Sequence, residues 1–236
     1  MTLTIVCGLF RGDRATIPSF SRDLYEPSWA DKLYRGCARN LERPFRFVVV
    51  SDWPQSAFSQ AEIDAVPFLH EDRSFMCLNE CLRPDLEIDR GLFLGLDTVI
   101  LGSIDEIASY TGRVALVPFP VDPRILSNPV VPFDGAWGRD VYAAWRADPQ
   151  GCAAAYQVST LEGRKPSEQI FWPTMAPDAD LANVLWPGQI QSYLLEFAGH
   201  VKGIANPGPE LARAIYFVAP HRPSNVEHPM IRANWI

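Results

Sequence analysis

The amino-acid sequence predicts an α/β fold with a mostly parallel central sheet flanked by helices and a less regular C-terminal half. Three stretches carry that prediction. Leu3–Leu9, the segment from Pro27 to Leu41 and Phe45–Ser51 alternate as apolar run, helical stripe and apolar run. Gly91–Ile107 opens with an apolar run broken only by Asp97. After Ala179 the chain is punctuated by proline and ends in a polar, proline-rich tail from Ala219 to Ile236. Strand, helix and strand in that order form a right-handed parallel unit, and apolar runs without alternation belong to strands covered on both faces.

In order, Leu3–Leu9 is rich in β-formers and reads as the first strand, with a polar loop from Phe10 to Asp23 behind it. Pro27 and Ser28 open a helix in which Trp29, Leu33, Cys37 and Leu41 recur every fourth residue, and Pro44 closes it. Phe45–Ser51 is the second strand, with Asp52 at its carboxyl end. Ser56–Leu69 reads as a short helix and a strand at Ala65–Leu69, and Ser74–Leu82 as a helix. Asp97 falls at or near the carboxyl end of the next strand, where open α/β sheets keep their ligands. Ser103 and Glu106 have capping-box spacing, which starts a helix at Ser103. Arg113–Pro118 is a strand, Ile125–Phe133 an apolar segment interrupted by Pro129, and Arg139–Ala147 a helix with Val141, Ala144 and Trp145 inward. Ser167 caps a helix through Trp172, and Ala214–Val218 is a late strand.

The 236 residues carry a formal net charge of −7, which argues against non-specific nucleic-acid binding. No apolar segment is long enough to cross a bilayer, no signal peptide is evident, and one domain over residues 1–236 with a cytoplasmic location is expected. The five cysteines follow no zinc pattern. Cys77 and Cys81 lie one helical turn apart on an apolar face, which is core spacing. Gly95 removes the nucleophile that a haloacid-type phosphohydrolase needs two residues before Asp97, and Gly8-Leu9-Phe10-Arg11-Gly12 does not supply the glycine pattern of a dinucleotide site.

An ordered series of segments resembles the GT-A-type nucleotide-sugar glycosyltransferases, and within them the glycogenin/galactosyltransferase group, family 8. The series runs through Trp29–Gly36 with Arg43–Val48, Ser51-Asp52, Leu82–Leu86 with Phe93–Ile107, Ser127-Asn128, Glu168-Gln169, Gln191–Tyr193, and Tyr216-Phe217 with His221-Arg222-Pro223 and Trp235. Departures are Gly95 where the family's metal motif has its first carboxylate, Val218 in place of a histidine, and Leu194 in place of a lysine. The resemblance implies a UDP-sugar donor, a glycan, lipid or protein acceptor, retention at the anomeric carbon, and Mn²⁺ or Mg²⁺. It gives Glu168 and Gln169 catalytic roles. Main-chain groups of Cys7, Gly8 and Leu9, together with Asp52, Gly95, Asp97, Asn128 and Arg222, would bind the donor, with Arg213 a second candidate for phosphate. Asp97 and His221 would hold the metal, bound mainly as a complex with the diphosphate. The alternative is a GT-A-like nucleotide-binding or scaffold module without turnover.

Overall fold

The computed structural model describes residues 2–12, 25–160, 163–198, 204, 206–218 and 221–236. The chain runs β1 (Leu3–Leu9), α1 (Pro27–Asn40), β2 (Phe45–Ser51), β3 (Ile63–Pro67), a 3₁₀ segment (Phe75–Leu82), β4 (Arg90–Leu94), β5 (Val99–Ile100) and α2 (Asp105–Ala108). It continues with β6 (Ala115–Phe119), β7 (Asp122–Ser127), β8 (Val130–Asp134), α3 (Gly135–Ala147), α4 (Pro149–Ala155), β9 (Gln157–Thr160), β10 (Gly163–Pro166) and α5 (Glu168–Thr174). Last come β11 (Asp180–Leu181), α6 (Ala182–Leu185), β12 (Ile190–Ser192), β13 (Ala214–Tyr216) and α7 (Pro229–Asn234). The predicted loop from Phe10 to Asp23 falls largely outside the described residues.

The central sheet has the order β3-β2-β1-β4-β8. β1 pairs in parallel with both β2 and β4, β2 with β3, and β8 closes the edge antiparallel to β4. The chain thus winds one way from β1 to β3 and the other way to β4, so the gap beyond the carboxyl ends of β1 and β4 is the switch point of the sheet. Alternate residues explain why the strands read as unbroken apolar runs. Ile5, Cys7, Leu9, Phe47 and Val49 join Ala30, Leu33 and Cys37 of α1 on one face. Val6, Val48, Val50 and Phe93 join Trp137, Trp145, Phe171 and Trp172 on the other. Cys77 and Cys81 are buried in this second face, as their spacing predicts.

Three expectations need correction. The apolar run from Gly91 is not one strand. β4 ends at Leu94, Gly95–Thr98 turns with the Thr98 amide donating to the Gly95 carbonyl at 2.9 Å, and β5 joins a separate sheet beside β13. Gly95 and Asp97 are turn-forming residues, but the apolar residues on both sides of them hide the turn within one hydropathic run. Nor does Ser103 start a helix with Glu106. Its hydroxyl bonds Asp105, Glu106 accepts from Gln189 Nε2 at 2.8 Å, and α2 begins at Asp105. α3 begins four residues earlier than predicted because Asp134 is its N-cap, accepting from the Trp137 amide at 2.7 Å.

Candidate active site

A cleft of about 300 Å³ opens at the switch point. Gly8 and Phe10 line it from the end of β1, and Gly95, Leu96 and Asp97 from the turn after β4. Ser127, Asn128 and Pro129 come from the β7–β8 turn, Ser167, Glu168 and Gln169 from the start of α5, and Tyr216–Val218 with Arg222 from beyond β13. Topology therefore gathers in one place most of what the sequence scatters over more than two hundred residues.

Each wall has a local cause. The β1–β4 pairing stops at Val6 and Phe93, so the main chain of Cys7–Leu9 runs past its partner at the crevice. A Cβ on Gly8 would lie 2.2 Å from Leu78 Cδ2, so any larger residue here would have to displace the Leu78 side chain of the 3₁₀ segment. Cys7 and Leu9 point into the core, and burial pushes the Cys7 thiol far above its usual range. The Gly95 amide donates to the Pro129 carbonyl at 2.8 Å, which locks the β4–β5 turn onto the β7–β8 turn. Gly95 itself is not sterically required, since an added Cβ would come no nearer than 3.4 Å, to Asp97 Oδ1.

Glu168 sits at the first position of α5. Ser167 is extended and its hydroxyl accepts from the Gln169 amide at 3.2 Å, as an N-cap should. A carboxylate in a first helical turn is favoured by the helix dipole, but such residues are normally solvated and this one is 6% exposed. Its Oε1 accepts from Asn128 Nδ2 at 3.1 Å and its Oε2 from Ser167 Oγ at 3.2 Å. Burial outweighs these bonds and raises the carboxyl from 4.5 to about 7. α5 is itself anchored, because Trp172 packs edge-on to Phe93 and donates from Nε1 to Asn79 Oδ1 at 2.7 Å.

Asp97 Oδ2 accepts from the Tyr25 hydroxyl at 3.1 Å and lies 3.6 Å from Arg222 Nε. Burial raises the Asp97 carboxyl while Arg222 and Tyr25 pull it down. The residues expected to hold a divalent ion do not form a fitting set. The His221 ring packs 5.9 Å from the Tyr193 ring, and His221 is not among the residues lining the cleft. Among the described residues no group of three His, Cys, Asp or Glu side chains converges anywhere. Of the Asp97–His221 pair only Asp97 lines the cleft, with a guanidinium already 3.6 Å from it.

Asp52 is also not in the cleft. Its carboxylate takes the Arg73 guanidinium at 2.7 and 2.9 Å and the Arg11 amide at 2.9 Å. It clamps the ends of β1 and β2 to the Leu69–Ser74 loop. The Asp52→Ala variant should therefore lose about 1.5–3 kcal/mol in urea unfolding, the range for hydrogen bonds to charged groups, with nucleotide affinity unchanged. A large drop in affinity at wild-type stability would restore the ligand role. Arg213 likewise turns away, donating to the carbonyls of Glu210 and Ala212. Tyr25, Phe10, Phe75 and Leu78 also line the cleft, and no sequence motif points to them.

Among the described residues no helix is long and apolar enough to cross a membrane. Neither protein-family profiles nor curated protein sequences yield a match. Solved structures do. The glycosyltransferase GlyE of Streptococcus pneumoniae TIGR4 superposes with a TM-score of 0.65 at 12% identity, over 100% of this chain and 60% of that one. The bifunctional glycosyltransferase WbbM gives 0.63 at 10%, over 99% and 49%. The galactosyltransferase LgtC, in complex with donor and acceptor sugar analogs, gives 0.56 at 8%, over 98% and 95%. The chain thus spans only about half to three-fifths of GlyE and WbbM. A likeness at this identity speaks to architecture, and the architecture is a GT-A-type glycosyltransferase fold.

Proposed function

We propose that this chain transfers a sugar from a nucleotide-diphosphate donor, a UDP-sugar, to a hydroxyl of a glycan, lipid or protein acceptor, with retention at the anomeric carbon. The observation that carries the reading is Glu168, a buried carboxylate held by Asn128 and Ser167 in the cleft at the sheet's switch point. In such a transfer the bond from the anomeric carbon to the diphosphate breaks and one to the acceptor oxygen forms. The acceptor proton leaves with the departing phosphate or to solvent. Positive charge develops on the sugar ring as the diphosphate departs, and a fixed carboxylate beside it stabilises that charge without reorganising. Asn128 bonds Glu168 and so orients it in this reading, and Gln169, which lines the same wall, would bond sugar hydroxyls. The uridine assignment rests on the likeness of the first-strand segment to uridine-binding relatives.

UDP should raise the melting temperature more than GDP or ADP do. Ligand at a hundredfold its dissociation constant stabilises by about 2.7 kcal/mol, and each kcal/mol is worth roughly 2–4 °C in a chain of this length. Equal shifts with all three nucleotides sink the uridine reading. Release of free sugar or of a transfer product from a responding UDP-sugar establishes turnover, and tight UDP binding without either leaves a nucleotide-binding module.

A further inference from the structure

We infer that Arg222 is the resident cation of this cleft, so that a bound diphosphate is neutralised by its guanidinium and not by a divalent ion. The inference rests on the donor reading above and extends it to how the leaving group is held.

Arg222 is built into the wall. Its main-chain amide donates to Asn225 Oδ1 at 2.7 Å, the Asn225 amide returns to the Arg222 carbonyl at 3.0 Å, and its Nη1 donates to the His221 carbonyl at 2.6 Å. The side chain is 16% exposed and its Asp97 partner 18%. At 3.6 Å the pair is in electrostatic contact but outside hydrogen-bond range, and Arg222 Nε is buried without an acceptor among the described residues. Nε is turned towards Asp97 and Tyr25, while Arg222 itself lines the cleft, which puts its guanidinium beside any anion bound there. The Tyr25 hydroxyl on Asp97 is equally fixed, since the Tyr25 ring packs 4.7 Å from that of Trp29, which packs 5.3 Å from that of Trp235. Residues from the start of α1 and from the C-terminal tail thus converge on one carboxylate.

That convergence is what a divalent ion would have to undo. To bind Asp97 it would sit beside the guanidinium as a like charge, in a cleft partly screened from water. It would find glycine at position 95 and, among the described residues, no cluster of three His, Cys, Asp or Glu side chains to complete its shell, since the Glu168 carboxylate in the same cleft is taken by Asn128 and Ser167. The guanidinium offers instead a planar fork of donors that matches phosphate oxygens. With Asp97 on one side and the phosphates on the other, it keeps a negative partner before, during and after departure of the diphosphate.

Calorimetric titration of UDP into the wild-type protein, with Mn²⁺ and separately with EDTA, tests this without any variant. The two dissociation constants should agree within about threefold. In EDTA, Arg222→Gln should weaken binding by about tenfold or more, which is 1.4 kcal/mol, and Arg222→Lys should recover part of the loss. Thermal unfolding of both variants confirms that the fold persists. Wild-type binding that tightens tenfold or more with Mn²⁺, or an Arg222→Gln protein that binds like wild type in EDTA, overturns the inference and leaves the donor reading standing. If UDP, GDP, ADP and inorganic pyrophosphate all fail to bind in both buffers, the donor reading falls and this inference falls with it.

Discussion

The Glu168→Gln protein should transfer sugar roughly 10²–10³-fold more slowly than wild type, the usual effect of removing one preorganised electrostatic group, and yet be more stable above pH 7. Glutamine has the size of the protonated glutamic acid, can accept from Asn128 Nδ2, and can donate to the Ser167 hydroxyl. Nucleotide affinity should change by less than about threefold, because the residue addresses the sugar and not the phosphates. The stability gain follows from the raised carboxyl. Its folded value of about 7 exceeds the ordinary 4.5, so between those values the native state binds more protons than the unfolded one and stability falls as pH rises. The contribution of the protonated group is complete below 4.5 and is lost as pH passes through 7. At about 1.4 kcal/mol for each tenfold, the ionised form costs on the order of 3 kcal/mol at pH 8. Gln does not titrate, so the advantage of the variant should be near zero at pH 4.5 and grow to about that size by pH 8. Wild-type transfer should rise over the same interval, since only the carboxylate stabilises a cationic sugar. Urea unfolding at both pH values and a pH–rate profile measure the two halves. A variant that transfers at the wild-type rate, or whose stability tracks wild type at every pH, would return Glu168 to an ordinary helix-start residue.

That opposition between function and stability explains which parts of the molecule were readable in advance. β1 and β2 have the predicted bounds because all of β1 and Phe47–Ser51 of β2 are buried, so hydropathy and β-propensity agree. The α1 stripe of Trp29, Leu33 and Cys37 is buried as predicted, with Leu41 just past the helix end. Hydropathy failed where a polar partner lies far along the chain. Glu106 was taken by Gln189, 83 residues away, and Asp52 by Arg73. A local pattern holds no record of such competitors. In the cleft, Asn128, Glu168, Gln169, Gly95, Asp97 and Arg222 were all named from ordered resemblance, and the structure brings all of them together. His221 and Asp52 came from the same source and do not line the cleft. Neighbouring residues in sequence can point to different places, and only Arg222 of the His221-Arg222 pair reaches Asp97. Tyr25 escaped because nothing local distinguishes a tyrosine at the end of a polar loop from a solvated one.

Glu80→Ala should be the most destabilising single change outside the cleft, at roughly 3–5 kcal/mol, the range for leaving a buried charge without its partner. Glu80 is fully buried and Arg83 is 4% exposed. The Glu80 carboxylate accepts from the Leu69 amide at 2.6 Å, the His70 amide at 2.7 Å and Arg83 Nη1 at 3.0 Å. Arg83 also donates to the Pro67 carbonyl at 2.7 Å. Truncation would strand two buried amide donors at once, leave the Arg83 guanidinium with Asp85 Oδ1 at 3.0 Å and the Pro67 carbonyl, and empty space within a packed wall. The loss would reach the cleft, because the same 3₁₀ segment carries Phe75 and Leu78 in its lining and Asn79, which bonds Trp172 of α5. A fall in melting temperature on the order of 10 °C is therefore expected, with weakened nucleotide binding below it. Arg83→Met alone should cost less than Glu80→Ala, since the carboxylate keeps both amides. Combining Arg83→Met with Glu80→Leu removes both charges but still orphans the Leu69 and His70 amides, so the double variant should regain only part of the loss. Chemical unfolding of the three proteins decides between a charge effect and a cap effect. Full recovery in the double variant would mean that the ion pair alone matters, and a Glu80→Ala cost under about 1 kcal/mol would mean that water reaches this site and the anchoring role is wrong.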